Sequence, residues 1–160
     1  MSRMITVAPV RKTVVVNATQ QKAFDVFTGN MSRWWPATHT ILKSPLKQTI
    51  LEPRTGGRWY QIGEDGSECG TGHVLAWEPP SRVLLAWEIN AEWKYQAGLG
   101  TEVEVRFVAE DRERTRVVLE HRKLDRYGDK AEMMRAMLDG EGAWMELLAA
   151  LAKVAESSPA

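Results

Sequence analysis

From residue 46 to residue 122 the hydrophobic pattern keeps a period of two, interrupted at short intervals by turn residues, and no other feature restricts the fold as much. The clearest run is TEVEVRFV, where Val103, Val105 and Phe107 alternate with Glu102, Glu104 and Arg106. Successive side chains of a strand point to opposite faces, so this run makes a strand with one dry and one wet face. In RVLLAWEI, Val83, Leu85, Trp87 and Ile89 turn to the dry side against Arg82, Ala86 and Glu88. TRVVLEHR repeats the pattern, with Thr115, Val117, Leu119 and His121 inside and Arg116, Glu120 and Arg122 outside. His121 is thereby a polar residue on an apolar face. Turn signals at residues 53–56, 63–67, 78–81, 90–100 and 109–113 divide the stretch into six strands joined as an antiparallel meander.

A sheet with one dry face needs a cover, and EGAWMELLAALAKVAES supplies it, with Trp144, Leu147, Leu148 and Leu151 on one helical stripe. Gly140 and Gly142 set its start and exclude one long helix from Lys130. About 15 residues make a rod of roughly 22 Å, close to the length of an eight-residue strand, so the helix can lie along the sheet. Upstream, VRKTVVVN predicts a strand over Val10–Val16, because β-branched residues suit a pleated surface. ATQQKAFDVFTG predicts a helix of about three turns, with Asn17 or Thr19 as its N-cap and Gly29 as its end. NMSRWWP adds one turn, capped by Ser32 or Asn30 and stopped because Pro36 disfavours a helical Trp35. Adjacent residues on such a turn point about 100° apart. One of Trp34 and Trp35 is therefore expected beneath the covering helix near Leu148 and Leu151, and the other on the floor of any cavity. ESSPA reads as a frayed tail.

At 160 residues the chain suits a single domain over 1–160, with a core of about 10–155. Its 21 basic and 21 acidic side chains balance, which argues against nucleic acid as a partner. No segment has the roughly 18 apolar residues of a membrane span, and MSRMITVAPVRK lacks a secretory h-region. Cys69, the sole cysteine, excludes an internal disulfide, and the expected location is cytoplasmic. Cys69 and His73 lie on one strand face, but two ligands do not make a zinc site, so no metal is expected. The GxG of Gly70-Thr71-Gly72 precedes a strand and not a helix, which excludes a dinucleotide fingerprint. No GxSxG elbow or papain-like cysteine context occurs, and no cofactor is expected.

One strand, two short helices, six meandering strands and a final helix resemble the helix-grip fold of the START and birch-pollen-allergen superfamily, SRPBCC. That is an α+β fold in which a curved antiparallel sheet of about seven strands wraps a C-terminal helix. The stretches AFDVFTGNMSRWWP, EPRTGGRWYQIGEDGSECGTGHVLAWEPPSRVLLAW, TEVEVRF and TRVVLEHRKL are similar to the branch named after the activator of the ninety-kilodalton heat-shock chaperone's ATPase, in its C-terminal domain. The resemblance spans about residues 10–155.

It implies a cavity between sheet and helix, open at the end shared by connections 63–67, 90–100 and 123–140. Trp87, Phe107, His121 and Trp144 should face that space, joined by Trp59 and Trp77 if strand register allows. A filled core is the competing expectation. Trp93 and Tyr95, on the long 90–100 connection, stand either as ligand contacts or as a surface minicore. Tyr60 or His121 would be the polar handle. His121 either orients a ligand and moves protons, or is a neutral imidazole bonded to a backbone carbonyl or a glutamate. Glu141 or Asp139 would reach it if the helix start folds over. Three functions follow: binding of a small apolar or aromatic molecule, a chaperone-contacting interaction protein, and a cyclase-like or dehydratase-like enzyme. Binding ranks first, and a homodimer stays open.

Overall fold

Strand β1 (Val10–Val16) leads into helices α1 (Gln20–Gly29) and α2 (Met31–Trp34). Strands β2 (Leu46–Leu51), β3 (Arg58–Gly63), β4 (Glu68–Glu78), β5 (Arg82–Trp87), β6 (Thr101–Asp111) and β7 (Arg114–Arg122) follow, and then helices α3 (Ala131–Leu138) and α4 (Glu146–Ser157). These elements come from a computed structural model that describes residues 7–157. The strands form one seven-stranded antiparallel sheet in the order β1-β7-β6-β5-β4-β3-β2. The last six are the expected meander, and β1 closes the far edge on β7, with Val10 opposite His121 and Val16 opposite Thr115. This is the helix-grip α+β arrangement.

The dry face is as the alternation requires: Val83, Leu85, Val103, Val105, Phe107, Val117 and Leu119 are buried beneath the helices. On the wet face Glu104 lies between Arg82 (2.7 Å) and Arg106 (3.1 Å), and Glu102 meets Arg122 (3.1 Å) and Lys123 (3.0 Å). Thr19 caps α1, its hydroxyl accepting from the Lys22 amide at 3.1 Å. Asn30 occupies the cap of α2, while the Ser32 hydroxyl donates to Thr49 O and accepts from Thr49 N, both at 2.9 Å, and so pins α2 to edge strand β2. Trp35 is extended (φ −69°, ψ 120°), as a residue before proline should be.

Four local expectations are corrected. Strand β5 ends at Trp87, and Ile89 keeps a lone bridge to Tyr95. Glu88 is buried rather than wet, because residues 90–100 fold over it. Residues 123–140 contain a 3-10 turn over Leu124–Lys130 and helix α3, which add Leu124, Tyr127, Met134 and Leu138 to the core. Trp144 is not on a regular helix: Glu141–Met145 form an irregular turn broken at Ala143 (φ −108°, ψ −123°), and α4 starts after it. At the other end Glu156 and Ser157 are still helical, with Glu156 accepting from the Asn17 amide at 2.8 Å. The rest of the expected tail, residues 158–160, and the first six residues of the segment read for a signal lie outside the described residues.

Candidate functional site

A cavity of about 440 Å³ lies between the sheet and the break ahead of α4, bounded by Trp35, Trp87, Trp93, Trp144, Ile89, Leu138 and Leu147. Its polar lining is Thr38, His39, Thr40, Gln61 and Thr71. The connections at 90–100 and 123–140 form its mouth through Trp93, Met137 and Leu138, at the end the resemblance implies, whereas the 63–67 connection contributes no lining residue.

The polar wall is sewn together from three elements. Trp35 Nε1 donates to His39 O at 2.7 Å, and Gln61 Nε2 donates to the same carbonyl at 3.3 Å. Thr40 Oγ1 donates to Gln61 Oε1 at 2.7 Å. His39 Nε2 lies 2.8 Å from Gly142 O and 3.3 Å from Glu146 Oε2, which ties the 36–41 segment to the start of the covering helix. Residues without a regular backbone ladder thus find partners in side chains, as buried backbone must.

The apolar wall is an indole cluster. Trp35 packs edge-on to Trp59 (5.9 Å between ring centres) and to Trp144 (6.3 Å), and Trp87 contacts Trp59 and Trp144, each at 5.6 Å. These separations and edge-to-face angles are those that ring quadrupoles favour. Trp34 faces the other way, against Phe27 (5.0 Å), and donates to Val26 O at 3.0 Å. Helix α2 does pack against α4, and Trp35 is the member of the pair that reaches the cavity.

His121 is sealed behind this cluster, fully buried, 5.4 Å from the Trp87 ring and 5.9 Å from the Trp144 ring. Trp144 Nε1 lies 3.1 Å from His121 Nδ1, and an indole can only donate. Nδ1 therefore carries a lone pair and Nε2 the proton, which points to Thr101 Oγ1 at 3.2 Å; Thr101 in turn donates to Trp87 O at 2.8 Å. Burial pushes the imidazole pKa down to about 3, so it is neutral. The expected neutral reading holds, but its partners are an indole and a hydroxyl and not a carbonyl or carboxylate. Asp139 pairs with Lys12 at 2.8 Å instead.

Of the eight residues expected to contact a ligand, Trp87, Trp93 and Trp144 line the cavity. Trp59 and His121 stand one layer behind it, Trp59 with its N–H on Met31 Sδ at 3.2 Å. Phe107 and Trp77 lie at the closed end, each 5.2 Å from Phe24. Tyr60 is on the outer face under the Arg58 guanidinium, 4.2 Å above its ring. The open choice for the long connection divides: Trp93 stands half-exposed at the mouth with a positive φ of 62°, whereas Tyr95 folds onto the outer face over Gly70. Its hydroxyl meets buried Glu88 at 3.3 Å, and Glu88 also accepts from Gly98 N at 2.7 Å and contacts His73 at 3.0 Å. Sequence reasoning missed His39, Thr40, Gln61 and Thr71. Gln61 carried a usable signal, a polar residue two positions from Trp59 in the inward register.

Among the described residues no group of three metal-binding side chains assembles, and no helix is long and apolar enough to cross a membrane.

A curved sheet gripping a C-terminal helix over an aromatic cavity defines a helix-grip protein of the SRPBCC type. More narrowly, the chain belongs to the family described as activator of Hsp90 ATPase homolog 1-like protein, whose model matches residues 17–156. Among solved structures it is similar to an anthrahydroquino-γ-pyrone synthase, Txn09, complexed with SUM, at 38% identity over 92% of this chain and 97% of that one (TM-score 0.66). It is also similar to CalC, a self-sacrificing resistance protein from Micromonospora echinospora, at 29% identity over 92% and 94% of the two chains (TM-score 0.69). CalU16 from the same organism shares the fold at 21% identity, over 94% and 77% (TM-score 0.57). No curated protein matches the chain.

Proposed function

We infer that the cavity binds a neutral, planar aromatic molecule of polycyclic type. The observation that carries this reading is the composition of the lining, four indoles together with uncharged polar groups and one imidazole. Indole rings suit a flat ring system and the polar side chains suit oxygens on it, and the volume falls within the few hundred Å³ usual for small-molecule sites. No carboxylate, ammonium or guanidinium lines it, so a charged ligand would be left without a counter-charge. The relative at 38% identity, named as a synthase of an anthrahydroquino-γ-pyrone, supports a ligand of this shape.

Titration with 1,8-dihydroxyanthraquinone tests the reading. Tryptophan emission should quench saturably, native mass spectrometry should show one ligand per chain, and Trp93→Ala should speed release while leaving the thermal midpoint nearly unchanged. Absence of saturable binding would sink it.

A catalytic variant of this reading has one observation in its favour: His39 is the one titratable side chain in the lining. Its Nε2 faces Gly142 O and so carries the proton, which leaves Nδ1, beside Thr38 Oγ1, as the atom that can accept a proton from a ligand hydroxyl displacing Thr38 and return it. Incubation with the synthase's substrate, followed optically for pyrone formation, separates the two forms. Turnover abolished by His39→Gln makes the protein an enzyme, and tight binding without turnover makes it a carrier.

A further inference from the structure

The Gly70-Thr71-Gly72 stretch lies inside strand β4 and has a structural use there. Opposite it, Trp59 pairs with Gly72 but Tyr60 pairs with Gly70, so Thr71 is the extra residue of a bulge in β4. A bulge leaves one residue outside the ladder and re-aims its side chain. Close approach requires a glycine at 72, where a Cβ would stand 1.7 Å from Ala86 O, and a Cβ at 70 would press on the Tyr95 ring at 2.8 Å. The bulge turns Thr71 into the cavity, where it is 2% exposed.

The other polar groups of the wall are committed. Thr40 Oγ1 donates to Gln61 and accepts from Leu42 N (3.1 Å). Gln61 uses its oxygen and its nitrogen. Both ring nitrogens of His39 have contacts, with Thr38 Oγ1 at 3.1 Å and Gly142 O at 2.8 Å. Trp87 Nε1 makes no hydrogen bond of normal geometry, but that atom is buried beside the Tyr127 hydroxyl and is not offered to the cavity. The Thr71 hydroxyl has no hydrogen-bond partner among the described residues and sits where a ligand would. The residue is buried but its hydroxyl oxygen is open to the cavity, so its hydrogen-bond partner has to come from whatever occupies that space.

We propose that the Thr71 hydroxyl hydrogen-bonds a ring-borne oxygen of the bound molecule, which makes the ligand an oxygenated aromatic, a quinone, ketone or phenol, and not a bare hydrocarbon. This rests on the aromatic-ligand reading and adds the functional group that is recognised. A site built to hydrogen-bond a ligand atom discriminates against the analogue lacking it, because the site's own group is then stranded.

The test uses the full-length protein and its Thr71→Val variant, with 1,8-dihydroxyanthraquinone and anthracene as probes and the thermal midpoint of each ligand-free protein as control. The variant should weaken the quinone about tenfold, the effect of one hydrogen bond to a neutral group. Anthracene affinity should be unchanged, and the ligand-free midpoint equal or higher, since the hydroxyl removed had no partner. An unchanged quinone affinity, an equal loss for both probes, or a lowered ligand-free midpoint would overturn the assignment while leaving the cavity reading intact. Failure of the unaltered protein to bind either probe would overturn the cavity reading itself, and this assignment with it.

Discussion

Acidification should destabilise this protein through His121. In the unfolded chain an imidazole takes a proton near pH 6.5, whereas in the folded protein burial holds His121 neutral down to about pH 3. Between those values the unfolded state binds more protons, so stability falls as pH falls. The geometry enforces the same sign, because a proton on Nδ1 would expel the Trp144 N–H that lies 3.1 Å away. One proton contributes about 1.4 kcal/mol per pH unit, so roughly 2 kcal/mol is lost between pH 7 and pH 5. The proper reference is His121→Gln, whose amide can accept from Trp144 and donate to Thr101 without titrating. Denaturant unfolding of both proteins from pH 7 to pH 5 isolates the effect, since contributions from other titrating groups cancel in the difference. The unaltered protein should lose about 2 kcal/mol relative to the variant over that range. A difference constant to within a few tenths, or a His121 imidazole resonance that titrates near 6.5, would refute the buried neutral assignment.

Three further outcomes follow from packing. Gly72→Ala places a methyl group 1.7 Å from Ala86 O, a clash with backbone that overpacking costs put at about 3 kcal/mol or more; equilibrium unfolding measures it. Trp144→Phe should cost about 1 to 3 kcal/mol more than Trp87→Phe, because it strands His121 Nδ1, whereas Trp87 Nε1 makes no hydrogen bond of normal geometry and only approaches the Tyr127 hydroxyl; parallel thermal melts compare them. Glu88→Gln should loosen residues 90–100 and raise the hydrogen-exchange rate of the Gly98 amide about tenfold, since that amide donates to the Glu88 carboxylate at 2.7 Å.

What the sequence reveals and conceals follows from periodicity. Val103, Val105 and Phe107 were legible because they keep strict alternation, and so was the inward placement of His121. Strand β4 breaks the rule twice, at Thr71 and again between Val74 and Ala76, so Thr71, Val74 and Trp77 reach the inner side at spacings of three. A bulge depends on what approaches from the neighbouring strands, which composition alone does not encode. The segment bearing His39 and Thr40 has no period at all. Its position comes from long-range bonds to Gln61 and Gly142, which no local pattern announces. Trp144 was placed correctly on the cavity but on the wrong backbone, because a helical stripe of Leu147, Leu148 and Leu151 extrapolates through the break at Ala143.

The return of β1 to the far edge of the sheet has a consequence for how the chain is made. Strands β2 to β7 each pair with a neighbour in sequence and can zip as hairpins while synthesis proceeds. Val10, by contrast, waits for His121, more than a hundred residues later, and Asn17 waits longer still for Glu156. Closing so long a loop adds an entropic cost that local contacts do not carry, and non-local pairing slows folding. The valine-rich first strand is therefore the first to emerge and the last to be sheltered, an interval during which its unpaired edge is open to other chains.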